Sequence, residues 1–246
     1  PEIGALGWAS NLRILDTGDE LRLDTERVAL QELFNMIRRF CVGYDVELHK
    51  RTLERGLLSL IGPTAPELLG AAGLGEAEHS HIEVSLEGIG ARAIRTDVGI
   101  DLLCDSIHTE RLAGALVAAG ALPVSAEAVE CLRIEHGRPR FGAELDDSVI
   151  PQEAGLNERA VSFTKGCYVG QETVARIDAL GHVNKLLCAL RLDGGEDDVP
   201  PAGSAIEADG KVVGAITSAA FSPGQVCLVA LGYVRRTHAG AGTSVR

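Results

Sequence analysis

The chain has 246 residues, 46% of them hydrophobic, 24% charged and 4% aromatic, with a formal net charge of -12 at neutral pH. This is the balance of an ordinary globular protein with an aliphatic interior, and its acidity disfavours direct nucleic-acid binding, which calls for a basic face. No apolar run reaches the roughly 18–20 residues of a membrane span, and the six scattered cysteines lack CxxC or Cys/His spacing, a usage typical of a reducing, cytoplasmic compartment.

In chain order, residues 8–15 read as a strand, 16–20 as turn chemistry, and Leu21, Arg22 and Leu23 alternate. Strand pattern so close to Pro1 predicts a segment preceding the chain. Asp24 or Thr25 is placed to cap a helix carrying Val28, Leu30, Leu33, Phe34 and Ile37. Residues 41–49 follow as a strand with Val42, Tyr44, Val46 and Leu48 on one face. The resulting ββαβ order reads as a split β-α-β module lacking its front.

A second module has a strand at 57–61, a turn at 62–66 and a small helix through Leu69. Residues 82–86 and 91–95 form a hairpin signal across Gly88 and Gly90. A strand at 100–104 and helices at 109–118 and 126–134 complete it. Interleaved hairpins and helices predict α+β modules of ferredoxin-like type, not a doubly wound parallel sheet.

Residues 133–153 mix Arg133, Glu135, Arg138, Arg140, Glu144 and Glu153 with Gly and Pro. The plainer reading is a solvated connection held by surface ion pairs. The functional reading is a loop presenting Arg133 and Glu153 to a cavity shared with the stretch that follows.

That stretch, residues 165–176, gathers Lys165, Cys167, Tyr168, Gln171, Glu172 and Arg176 around Gly166 and Gly170. Val161 and Phe163 lead in as a strand ending near Thr164, and 171–177 reads as a helical turn or two, or as a strand. Lys165 stands two residues before Cys167, where a cation favours the thiolate. A tight turn around a buried structural cysteine accounts for the same residues. Beyond Lys185, short strands at 186–192, 205–208, 212–217 and 226–234 predict a small antiparallel barrel or sandwich. The expected domains are 1–183, with modules of about 1–50 and 51–183, and 184–246.

The run Lys165-Gly-Cys167-Tyr168-Val-Gly170-Gln171-Glu172 resembles the hallmark of the YgfZ branch of the glycine-cleavage T-protein superfamily. Arg133-x-Glu135, Gly142-x-Glu144-Leu-Asp146, Pro151-x-Glu153, Gly214-x-Ile216-Thr217-Ser218 and Gly232-Tyr233-Val234 match it in order. The resemblance implies an α+β folate-binding body with a C-terminal β-barrel, lacking the N-terminal segment of family members. It implies a pocket for tetrahydrofolate or a one-carbon derivative. Cys167 is implied as the functional cysteine beside Lys165, and Glu153 as the carboxylate that holds the pterin. Tyr168, Gln171, Glu172 and Arg176 are implied around Cys167, with Arg176 and Lys185 toward the glutamate tail, and Arg133 joins them as a cofactor-binding candidate from the 133–153 loop. Val129 stands where the branch has a folate-contacting aromatic. The implied function is a folate-binding accessory protein for iron–sulfur client enzymes, including those that modify tRNA. A folate-dependent aminomethyltransferase and a noncatalytic folate-binding module are the alternatives.

Overall fold

The computed structural model describes residues 3–4, 7–8, 12–168 and 170–246. Positions 9–11 of the expected first strand and Val169 of the 165–172 motif lie outside the described residues. The chain begins with β1 (Ile3–Gly4), β2 (Gly7–Trp8), β3 (Leu12–Asp16), β4 (Leu21–Thr25) and helix α1 (Leu30–Phe40). There follow β5 (Arg55–Ile61), α2 (Ala65–Leu68), β6 (His81–Leu86), β7 (Ile89–Arg95), β8 (Gly99–Asp105) and α3 (Thr109–Ala118). Helices α4 (Ala126–Glu135), α5 (Asn157–Ala160) and α6 (Gln171–Leu180) come next. The chain closes with β9 (Lys185–Leu192), β10 (Ala205–Ala208), β11 (Lys211–Ser222) and β12 (Cys227–Arg235). Among the described residues, no helix is long and apolar enough to cross a membrane.

The contacts divide the chain into two compact units. One comprises Arg13–Asp24 and Arg38–Val124; the other holds Thr25–Ile37, Ser125–Arg246 and the described residues of Pro1–Leu12. The first unit is built on an antiparallel sheet of order β5-β8-β7-β6. Alternation along β7 and β8 puts Ala91, Ala93, Leu102 and Cys104 on one face, where they pack with Leu112 and Leu116 of α3. The β3/β4 hairpin carries Arg13, whose guanidinium reaches Asp24 at 2.5 Å and Asp101 at 2.7 Å. Ser59 donates to the other oxygen of Asp101 at 2.7 Å.

Three expectations change here. Thr25 ends β4, Asp24 is committed to Arg13, and residues 27–29 form turns, so the helix starts only at Leu30. The strand expected over 41–49 is a turn followed by irregular chain. Gly43 has a positive φ of 91°, and Tyr44 N–H bonds back to the Cys41 carbonyl, which closes a turn in place of an extended path. The lead-in over 161–164 is likewise bent, with the Lys165 N–H held by Ser162 Oγ at 3.2 Å.

In the second unit an antiparallel sheet of order β10-β11-β12-β9 carries the C-terminal residues. It is the expected antiparallel element, but its described strands form an open four-stranded sheet and do not close into a barrel. Helix α4, capped by Ser125 Oγ accepting from Ala128 N–H at 3.2 Å, buries Cys131 and Ile134 against Cys227, Val229 and Leu231 of β12. Close strand approach depends on Gly214: a Cβ there would lie 2.2 Å from the Tyr233 carbonyl oxygen. The fold class is α+β with antiparallel sheets, as the alternation and turn signals indicated.

Candidate functional site

The motifs at 133–153, 214–218 and 232–234 converge within the second unit. Glu144 is at their centre, with a fully buried side chain. One carboxylate oxygen accepts from Arg133 Nη1 at 2.8 Å and from the Arg140 backbone N–H at 3.0 Å; the other accepts from Ser218 Oγ at 2.5 Å. A buried carboxylate is tolerable because these donors satisfy it. Arg133 also donates to both oxygens of Glu130, to Ser218 Oγ and to the Arg138 carbonyl. Its fork is thus engaged by helix α4, the 138–146 loop and β11 together.

From Glu144 the network continues to a second carboxylate. Tyr233 on β12 donates its hydroxyl to the Glu144 carbonyl at 3.0 Å, and its ring packs against the apolar cluster of Leu145, Val149, Ala154 and Leu156. Lys185, the first residue of β9, holds its ammonium 4.7 Å from the centre of that ring. The same ammonium lies 3.7 Å from Glu153 Oε2. The turn bearing Glu153 is fastened to β9, because Leu187 N–H donates to the Glu153 carbonyl at 2.8 Å.

Glu153 is electrostatically the most informative group of the set. Its side chain is 12% exposed, and burial pushes its carboxyl above the ordinary range, with Lys185 and a backbone hydrogen bond from Ile150 opposing the rise. Burial, followed by the charges of Glu153, Glu144 and Asp146, pushes the Tyr233 phenol up as well. At 3.7 Å, Lys185 makes an ionic contact longer than a good hydrogen bond. Glu153 therefore keeps acceptor capacity. Beside it, Gln152 donates Nε2 to the Val174 carbonyl of α6 at 3.2 Å, while its Oε1 is buried without a partner among the described residues. Asn157 Oδ1 is a second such acceptor.

The 165–172 stretch arrives by a different route. Lys165 sets its ammonium 4.6 Å from the centre of the Tyr168 ring, and Gln171 N–H bonds to the Tyr168 carbonyl at 3.2 Å. Gly170, with φ of 84°, makes the left-handed step into α6 that a side chain would resist. Glu172 sits in the first helical turn, where a carboxylate is favoured, and Arg176 is exposed one turn later. Cys167 is exposed. Cys131, by contrast, is buried with its thiol donating to the Phe221 carbonyl and to Glu135; burial, and after it Glu135, push that thiol up.

Of the residues picked from sequence, Arg133 joins the Glu144 network, Glu153 ends it, and Lys165 and Tyr168 meet each other. Gln152 links the Glu153 turn to the helix that carries Gln171, Glu172 and Arg176. Glu144, Ser218 and Tyr233 were visible as motif letters, but spacing gave no sign that they meet. Gln152 carried no signal beyond its place beside Glu153.

Residues 17–165 match the GCVT N-terminal domain and residues 185–246 the glycine cleavage T-protein C-terminal barrel domain. The chain is 31% identical over 226 residues to a chloroplastic protein of Arabidopsis thaliana named as a transferase, a match covering 87% of this chain and 51% of that one. It is 31% identical over 217 residues to an aminomethyltransferase of Streptomyces avermitilis, covering 82% and 58%. For the aminomethyltransferase of Symbiobacterium thermophilum the identity is 32% over 231 residues, covering 87% and 60%. The chain thus spans between 51% and 60% of the length of these relatives. The crystal structure of the glycine cleavage system aminomethyltransferase T from Bartonella henselae shares the fold, with a TM-score of 0.79 over 99% of this chain and 68% of that one at 22% identity.

Proposed function

The chain belongs to the glycine cleavage T-protein family, and we propose that its Glu153 site binds a reduced folate, tetrahydrofolate or a one-carbon derivative of it. The observation that carries this reading is the largely buried Glu153 carboxylate, raised by burial and answered only in part, by the Lys185 ammonium at 3.7 Å and a backbone hydrogen bond from Ile150. Such a costly, incompletely matched charge is characteristic of a ligand site. The donor set fits the group. The aminopyrimidine edge of a folate presents neighbouring N–H donors, and a carboxylate accepts such a pair with both oxygens. The orphaned acceptors of Gln152 and Asn157 in the same region seek the same kind of donor. Bound there, a reduced folate would supply a carrier for one-carbon units. Glu153 would orient it, and Lys185 would keep the carboxylate ionised.

The finer reading is a YgfZ-type accessory protein that supports iron–sulfur cluster assembly or repair, and through client enzymes the modification of tRNA. Its support is the motif from Lys165 to Glu172 together with the exposure of Cys167, which leaves the thiol accessible for exchange or for contact with a client. The same exposure speaks against Cys167 as mere core packing in a noncatalytic module. Free thiols throughout fit a cytoplasmic location. The competing reading is an aminomethyltransferase, supported by the names of the bacterial relatives.

Calorimetric titration of tetrahydrofolate under reducing conditions into the protein and its Cys167→Ser variant tests both levels. Equal binding by the two, with loss of iron–sulfur client activity only in Cys167→Ser, is the expected result. Absence of binding by either would remove the folate reading. Aminomethyl transfer that survives Cys167→Ser would replace the accessory reading with the aminomethyltransferase one.

A further inference from the structure

We infer that Glu144 is a positioning residue for the Glu153 carboxylate, acting through the Tyr233 hydroxyl and the Lys185 ammonium. Its meaning for a ligand rests on the folate reading above; the coupling between the two carboxylates stands on contacts alone. Glu144 is clamped from three directions by Arg133, the Arg140 N–H and Ser218, which leaves its backbone carbonyl fixed as an acceptor. That carbonyl receives the Tyr233 hydroxyl at 3.0 Å. The phenol ring, held at one end by this bond and along its body by the Leu145 cluster, is the platform on which Lys185 rests 4.7 Å away. Lys185 starts its strand and is half-buried, so without a platform its long side chain has rotamers that lead to water. Held there, its ammonium faces Glu153 at 3.7 Å. Every contact in the chain from Arg133 to Glu153 lies within one unit.

The groups facing Glu153 set the sign of the effect. Lys185 on β9 favours its ionised form; Tyr233 on β12 bears on it as a neutral phenol, because burial and the charges of Glu153, Glu144 and Asp146 push the phenol up. Loosening Lys185 removes an influence that lowers the Glu153 carboxyl and leaves burial, which raises it. Weakening the Glu144–Tyr233 bond should therefore move the Glu153 titration to higher pH. A merely structural role for that bond would lower stability and leave the titration in place.

The test is a carbon-13 NMR titration of the glutamate side-chain carboxyls, with the Glu153 signal identified by its loss in Glu153→Gln. It is run on the wild type, Tyr233→Phe, Lys185→Met and Glu144→Gln, all without ligand. Tyr233→Phe keeps the ring and its packing on the Leu145 cluster, so it carries the test should Glu144→Gln fail to fold. The expected result is an upward shift of the Glu153 midpoint in Lys185→Met, and a smaller one of the same sign in Tyr233→Phe. An unmoved midpoint in Tyr233→Phe would overturn the inference. Tetrahydrofolate titrations of the same proteins separate the two levels. Shifted midpoints with no folate binding by the wild type support the coupling and reject the folate reading. Folate binding with unmoved midpoints rejects the coupling alone.

Discussion

In one unit Arg13 spans Asp24 and Asp101; in the other Arg133 spans Glu130 and Glu144. Both arginine side chains are 13% exposed, yet their partners differ. Asp24 and Asp101 retain 37% and 15% exposure, whereas Glu144 retains none. The first cluster closes on itself, with Ser59 completing Asp101, and it serves to fasten a hairpin to a strand. The second passes on through Tyr233 and Lys185 to a carboxylate that is incompletely matched. The first cluster joins strands; the second leads to a carboxylate that keeps acceptor capacity, the feature on which the proposed ligand site rests.

Removing Glu144 should have the largest effect. Glu144→Ala leaves Arg133 buried without its innermost partner and orphans two further donors, a loss of about 3–5 kcal/mol in unfolding free energy by urea denaturation. Arg13→Ala strips partners from two carboxylates that water still reaches, so about 1–2 kcal/mol is expected in the same assay. If Arg13→Ala proved the costlier, the contrast between the two clusters would be wrong. The smallest effect on the fold belongs to Cys167→Ser. Its exposed side chain predicts an unfolding midpoint indistinguishable from the wild type, and a large drop would mean that the thiol is packed after all.

The sheet-building parts of the chain were legible because their alternation and turn chemistry are local. The hairpin of β6 and β7 and the helices expected at 109–118 and 126–134 stand where the pattern put them, as do the C-terminal strands, except that the strand expected at 212–217 runs on to Ser222. Residues 41–49 misled because Val42, Tyr44 and Val46 alternate like a strand, but the positive φ of Gly43 turns the chain and all three remain exposed. Alternation states that one face could be buried; it does not supply a partner. The site was legible as a set of motifs and not as a network. Glu144 looked like one charge among many between 133 and 153, since nothing in its spacing announces Ser218 or Tyr233, 74 and 89 residues away.

The central claim is that Glu153 is the ligand-binding carboxylate. The most direct measurement is tetrahydrofolate affinity as a function of pH for the wild type and Glu153→Gln. The ionised carboxylate is the form that accepts two N–H donors, and burial places its titration above the ordinary carboxylate range. Wild-type affinity should therefore fall as the pH drops through that raised value. Glu153→Gln should bind about tenfold to a hundredfold more weakly at neutral pH, in line with roughly 1.5–3 kcal/mol for hydrogen bonds to a charged group, and show a flat profile. Equal affinity and an equal pH profile in the two proteins would contradict the account.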